Sequence, residues 1–187
     1  RAVGRRPATA FALSLPLGRH LKRTDVVRIA CDRLTIEQVA GDRARREGRI
    51  AVFYLIQNST PFGKDLDRVD TFHALGLRSV QITYNYQNWA GAGCKERTNA
   101  GLSEFGVELV RRLNETRMLV DCSHANMPTM ADIIRSSADP VIVSHTGCLA
   151  LHDNVRNTSD ENLKLLAEHG GVVGIDQIRT HITTSRV

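Results

Sequence analysis

Histidine closes two short apolar runs in the middle of this chain. Residues 118–124 read MLVDCSH and residues 140–145 read PVIVSH. Each run is short, β-branched and apolar, as a strand buried on both faces is. Between them, MPTMADIIRSSAD carries Pro128 at a helix start and Met130, Ile133 and Ile134 at helical spacing. Strand–helix–strand makes the two strands parallel, so His124 and His145 leave the sheet at the same edge. In α/β folds that edge binds ligands. Two imidazoles converging there suggest a metal site. Asp121, three residues before His124, should alternate to the opposite face of its strand and act as a packing or supporting group.

The other elements must carry that edge. Residues 8–15 (ATAFALSL) predict a first strand, stopped by Pro16 and Gly18, and residues 22–47 predict one or two charged helices. Residues 49–56 (RIAVFYLI) predict a buried strand ending at Gln57-Asn58. Residues 64–75 come next as an amphipathic helix stopped by Gly76. Residues 78–84 predict a strand whose exit presents Tyr84 and Asn85. The long loop after it, NYQNWAGAGCKERTNAG, has the length of a functional loop. Leu102, Phe105, Leu109, Val110 and Leu113 make the apolar stripe of a helix over 102–116. Thr158 to Glu161 has capping-box spacing and opens a helix that ends at Gly170-Gly171. A last strand is expected over 172–178, and no element in the tail HITTSRV.

Strands alternating with helices mean a parallel sheet with helices outside it. The alternation suits a doubly wound sheet or a (β/α)8 barrel. No Gly-rich phosphate loop comes after the first strand, which disfavours a nucleotide-binding Rossmann domain. A complete barrel takes about 250 residues, against 187 here. The expected fold is therefore α/β, a TIM-like (β/α)8 barrel, incomplete at its N-terminal and C-terminal ends. Residues 1–187 would form a single partial barrel domain of about six βα units. An open barrel leaves edge strands, so a homo-oligomer joined through them, or a longer natural protein, is expected.

Composition excludes several classes. The net charge is +5, with 12 Lys/Arg against 5 Asp/Glu in residues 1–50 and 13 against 15 in the remainder. The basic excess is thus N-terminal. It lacks the aromatic interleaving of a nucleic-acid surface and reads as solvated helix faces. No apolar run approaches the roughly eighteen residues of a membrane span. ATAFALSLPL after the first arginines is too short an apolar core, with no small-residue site behind it, for a signal peptide. A cytoplasmic location is expected, or a periplasmic or secreted one where an upstream signal precedes this chain. Cys31, Cys94, Cys122 and Cys148 are scattered and form no CxxC pair.

The stretch from GLSEFGVELV through VDCSH, VSHT and HDNVRN to GGVVGI resembles the membrane (renal) dipeptidase family of zinc peptidases, over about residues 49–178. The resemblance implies a TIM-like barrel with a two-zinc site at its C-terminal mouth, and cleavage of dipeptides by a zinc-activated water. It implies that His124 and His145 hold the second zinc and that Arg156 grips the substrate's terminal carboxylate, which suits a guanidinium fork. The family's metal-bridging glutamate falls at Gln57, and a histidine near the substrate carbonyl falls at Tyr84. Both substitutions look like those of a bacterial branch. The family's His-x-Asp pair for the first zinc has no counterpart here. Its catalytic aspartate lies on a last strand beyond this chain, and Asp176 sits too early to match it.

A catalytic zinc takes three protein ligands plus water, so the third must come from Gln57, Asp121 or a segment outside this chain. Tyr84, Asn85 and His152 are candidate substrate contacts, each weighed against simple packing or a solvated loop position. The expected activity is that of a metal-dependent dipeptidase-like hydrolase acting on a small dipeptide, with one or two zinc ions. The alternatives are an impaired relative that binds a small amino-acid-like ligand without hydrolysis, and an amidohydrolase for a cyclic or modified amide.

Overall fold

The computed structural model describes residues 26–28, 43–48 and 50–183. The chain divides into two compact units, residues 1–53 and 54–187. In the first, β1 (Val26–Arg28) pairs in parallel with β2 (Ile50–Val52), and α1 is a helical turn over residues 43–46. The strand at Val26–Arg28 corrects the helical reading of that stretch, since adjacent β-branched valines favour extended chain. The strand predicted over 8–15 lies outside the described residues, as does most of the predicted helical region.

The second unit is a five-stranded parallel sheet with helices between successive strands. Its strands are β3 (Tyr54–Ile56), β4 (Leu77–Gln81), β5 (Leu119–Asp121), β6 (Ile142–Thr146) and β7 (Val172–Ile175), side by side in chain order. The helices are α2 (Asp67–Ala74), α3 (Glu104–Glu115), α4 (Met127–Ser136), α5 (Asp160–Glu168) and α6 (Arg179–Ile182). An order without reversal has no switch point of the doubly wound kind. Right-handed crossovers then carry the helices to one face of the sheet. The apolar run over 49–56 forms two strands and not one, because β2 and β3 belong to different sheets and Phe53 interrupts them. The tail, expected to be featureless, begins with α6.

Alternation along the strands divides the sheet into two unlike faces. Val80, Ile82, Val120, Cys122 and Val143 point to the helices and pack with Leu109, Leu113, Met130, Ile133 and Leu166. Ser79, Gln81, Thr83, Asp121 and Ser123 are equally buried on the intervening positions. The register sets Gln81 opposite Asp121 and Asp121 opposite Ile142, which brings Ser144, two residues on, to the same face. The apolar face holds the sheet together, and the polar face leads up to the edge where the histidines emerge.

Side chains fix where the helices start. Ser103 caps α3 by accepting the N–H of Gly106, and Asn126 caps α4 by accepting that of Thr129, with Pro128 in the first turn. The cap of α5 is Ser159, one residue after the predicted Thr158. Thr158 is engaged elsewhere: its hydroxyl meets that of Thr146 at 3.0 Å. Among the described residues no helix is long and apolar enough to cross a membrane.

Leu113 is fully buried in this core. Leu113→Ala should lower the unfolding free energy by about 2–5 kcal/mol. In urea melts the midpoint would fall with an unchanged slope.

Candidate functional site

Asp121 ends β5 and organises the turn beyond it. Its Oδ1 accepts the N–H of Ser123 at 2.9 Å and, across the sheet, the N–H of Ser144 at 3.1 Å. Its Oδ2 accepts the Ser144 hydroxyl. The chain then turns, with His124 at φ 65°, a region that non-glycine residues seldom occupy. The alternation rule therefore stops at Asp121, and this carboxylate lies on the side of His145 rather than on the opposite face. β6 runs on through His145, so one histidine stands in a turn and the other in a strand.

The two rings meet edge to face, with centroids 5.0 Å apart and Nε2 facing Nε2 at 3.0 Å. Each remaining ring nitrogen is tied off. His124 donates from Nδ1 to Asn85 Oδ1 at 2.9 Å, and His145 donates from Nδ1 to Ser144 Oγ at 2.8 Å. Ser144 can accept there because its own proton goes to Asp121. Ser123 donates to the same Oγ at 3.1 Å and accepts the N–H of His145 at 3.1 Å. The network assigns the tautomers: both Nε2 atoms carry lone pairs, aimed at each other.

Two lone pairs at that distance repel unless a cation lies against them. Zinc with imidazole nitrogens at about 2.0–2.1 Å would set the nitrogens roughly 2.9–3.3 Å apart, depending on coordination angle. The pair therefore fits two ligands of one ion. Burial, then the guanidinium of Arg156, then His145 push the proton affinity of His124 down to about 3. Burial also lowers that of His145, and the Asp121 carboxylate partly offsets it. Both rings are neutral at pH 7, the form that binds metal. Among the described residues, no third His, Cys, Asp or Glu joins them to form a group able to hold a metal.

Around the pair, Tyr84 stacks on His124 with centroids 4.1 Å apart and is 39% exposed. Arg156 is buried and donates to the carbonyl of His145 at 3.2 Å. Among the described residues no carboxylate pairs with it, and its guanidinium also hydrogen-bonds the Cys94 thiol. Gln57 comes directly after β3 at the same edge with an exposed side chain. Its carbonyl accepts Gln81 Nε2 at 3.3 Å, while its amide makes no hydrogen bond to either imidazole. His152 reaches the carbonyl of Thr180 from Nε2 at 3.2 Å.

Residues 93–95 of the long loop lock these pieces together. Cys94 N–H donates to the carbonyl of His124 and Lys95 N–H to that of Asn85, both at 2.7 Å. Gly93 lies so close to the Tyr84–Asn85 backbone that a Cβ would come within 2.0 Å of the Tyr84 carbonyl oxygen. Burial raises the Cys94 thiol, with Arg156 opposing. Cys94, Cys122 and Cys148 are free thiols. Reading the sequence missed the roles of Gly93, Cys94 and Ser144. The signal for the last was present, since both histidines come directly after a serine.

If Ser144 and Asp121 hold the His145 ring, Ser144→Ala should weaken zinc binding about 10–100-fold without unfolding the protein, read by competition with a chromogenic chelator. His124 contributes to the pH dependence of stability. Its folded value, about 3, lies below the ordinary 6.5, so the unfolded chain takes up a proton that the folded one refuses. That stability is complete above about 6.5 and is lost as pH falls towards 3. The urea midpoint of the metal-free protein should drop across that window, and less so in His124→Asn.

The profile of the membrane dipeptidase family (peptidase family M19) matches residues 15–187. A Klebsiella pneumoniae protein, described only as uncharacterized and in the pqqA 5' region, is 27% identical over 150 residues, 77% of this chain and 55% of its own length. Among solved structures, an amidohydrolase from Pseudomonas aeruginosa is 36% identical with a TM-score of 0.71, over 82% of this chain and 45% of that one. A metallopeptidase from Rhodobacter sphaeroides, liganded with a phosphinate mimic of the dipeptide L-Ala-D-Ala, is 26% identical with a TM-score of 0.69, over 80% and 42%. The chain thus spans about half the length of the relatives it matches. The match over nearly the whole chain identifies it as a member of the membrane dipeptidase family.

Proposed function

We propose that this chain carries part of the active site of a zinc-dependent dipeptidase with a TIM-like barrel. The observation that carries the reading is the pair of Nε2 lone pairs facing each other at 3.0 Å, each with its Nδ1 secured from behind. His124 and His145 would hold the ion. When bound, zinc lowers the pKa of water to near neutrality and polarises the scissile carbonyl. Arg156, held against the His145 carbonyl, presents its remaining donors to the substrate's C-terminal carboxylate. Tyr84, stacked on His124 and partly exposed, offers a phenol to the carbonyl side of the peptide, with Asn85 holding His124 beside it. The phosphinate dipeptide mimic on the Rhodobacter sphaeroides relative favours a dipeptide substrate.

Gln57 favours a second reading. A neutral exposed amide lacks the charge that holds two cations together, and only two metal-type side chains converge among the described residues. A relative that binds an amino-acid-like ligand without turnover would have this donor set. Measuring zinc content alongside Ala-Ala hydrolysis separates the two readings. The hydrolase reading expects zinc-dependent turnover, and the other expects ligand-induced stabilisation with no product. In the active protein, Arg156→Lys should raise KM for the dipeptide at least about tenfold and change kcat less, because lysine cannot offer the paired donors.

A further inference from the structure

Residues 93–95 fasten the exits of β4 and β5 through their backbone, and backbone bonds make no demand on a side chain. The side chain of residue 94 is nevertheless a thiol set among polar groups. Its Sγ donates to Asn85 Oδ1 at 3.8 Å, and the Arg156 guanidinium hydrogen-bonds the sulfur. Cys122 is the contrasting case. It is fully buried in the apolar core, where sulfur serves as a small hydrophobe.

Neighbouring backbone holds the thiol in that place. Cys94 N–H is bonded to the carbonyl of His124 and Lys95 N–H to that of Asn85, both at 2.7 Å. On the other flank a Cβ on Gly93 would come within 2.4 Å of the Asn85 carbonyl carbon. The direction of the side-chain bonds follows from chemistry. A guanidinium has donors and no acceptor. Sulfur therefore accepts from Arg156, and its own proton goes to Asn85 Oδ1. That oxygen also takes the Nδ1 proton of His124 at 2.9 Å, and among the described residues the rest of the Asn85 amide makes no hydrogen bond. Both donors thus ask for the oxygen end of the carboxamide. Turned about, the amide would set Nδ2 against His124 Nδ1 and move the ring proton to Nε2, which removes the lone pair facing His145. His145 is oriented differently, from Asp121 through Ser144.

We propose that Cys94 is a positioning residue for His124: its thiol holds the Asn85 amide oxygen-first against Nδ1 and so keeps the Nε2 lone pair on the metal side. The inference rests on the reading that His124 and His145 hold the ion. Arg156, Cys94, Asn85 and His124 then form one run of hydrogen bonds, from the guanidinium to the imidazole. A free cysteine in this loop is thereby part of the metal site without touching the metal.

The test uses Cys94→Ala and Cys94→Ser, with Cys94→Val as a second donor-free variant should alanine fail to fold. In ¹⁵N spectra of the metal-free protein at neutral pH, wild-type His124 should show one tautomer, with its proton on Nδ1. Cys94→Ala should show a mixture at His124 and no change at His145, and Cys94→Ser should restore the single form. Zinc affinity, read by chelator competition, should fall about 3–10-fold in Cys94→Ala, less than the roughly 10–100-fold for a group that touches the ring itself. Asn85→Asp separates orientation from packing, because a carboxylate presents an acceptor at either end. On that background Cys94→Ala should cost no further affinity. A folded donor-free variant with a single Nδ1–H tautomer at His124, or an equal loss of affinity on both backgrounds, overturns the inference and leaves the metal reading intact. Wild-type protein whose His124 and His145 resonances do not respond to zinc overturns both.

Discussion

The site depends on one constraint, that two imidazole lone pairs are held facing each other against their mutual repulsion. The restraint comes from behind, where Asn85 takes the Nδ1 proton of His124 and Ser144 takes that of His145. Ser144 in turn leans on Asp121, whose carboxylate also accepts two backbone N–H groups, one from each of the neighbouring segments. A buried carboxylate with its oxygens satisfied in this way is a rigid anchor. The ring orientation of His145 is therefore set by the polar face of the sheet, whereas the apolar face only keeps the strands together.

The loops act as the second level of that restraint. The long loop after β4 reaches back with Gly93, Cys94 and Lys95 to grip the exits of β4 and β5 at backbone level. The loop after β6 carries Arg156 and spends His152, Asn154 and Asn157 on α6. Arg156 supplies positive charge beside both rings, and Asp121 and Asp176 oppose it at His145. Burial is the main reason the imidazoles stay neutral at ordinary pH.

Several expectations needed correction for the same kind of reason. Thr158 has the spacing of a cap, but its hydroxyl is taken by Thr146, and Ser159 caps α5 instead. Alternation assigns Asp121 to the far face, but β5 ends at Asp121 and His124 stands in a left-handed turn. Periodicity describes regular chain and loses force where a strand stops. Residues 49–56 form one apolar run, and nothing local announces that it serves two sheets.

The sequence by itself determined the alternating parallel α/β order, the sharing of one sheet edge by His124 and His145, and the family. Each of these rests on local pattern: short β-branched runs, helical stripes between them, and the Ser-His, HDNVRN and GGVVGI motifs. Only the tertiary structure decided which nitrogen of each ring is free, that Asp121 acts through Ser144, and that Asp176 pairs with His181. Those depend on hydrogen bonds between residues 1 to 39 positions apart, made or not according to how the side chains turn in space. A ring's tautomer is set by the group that meets its second nitrogen in space, and linear spacing does not record that.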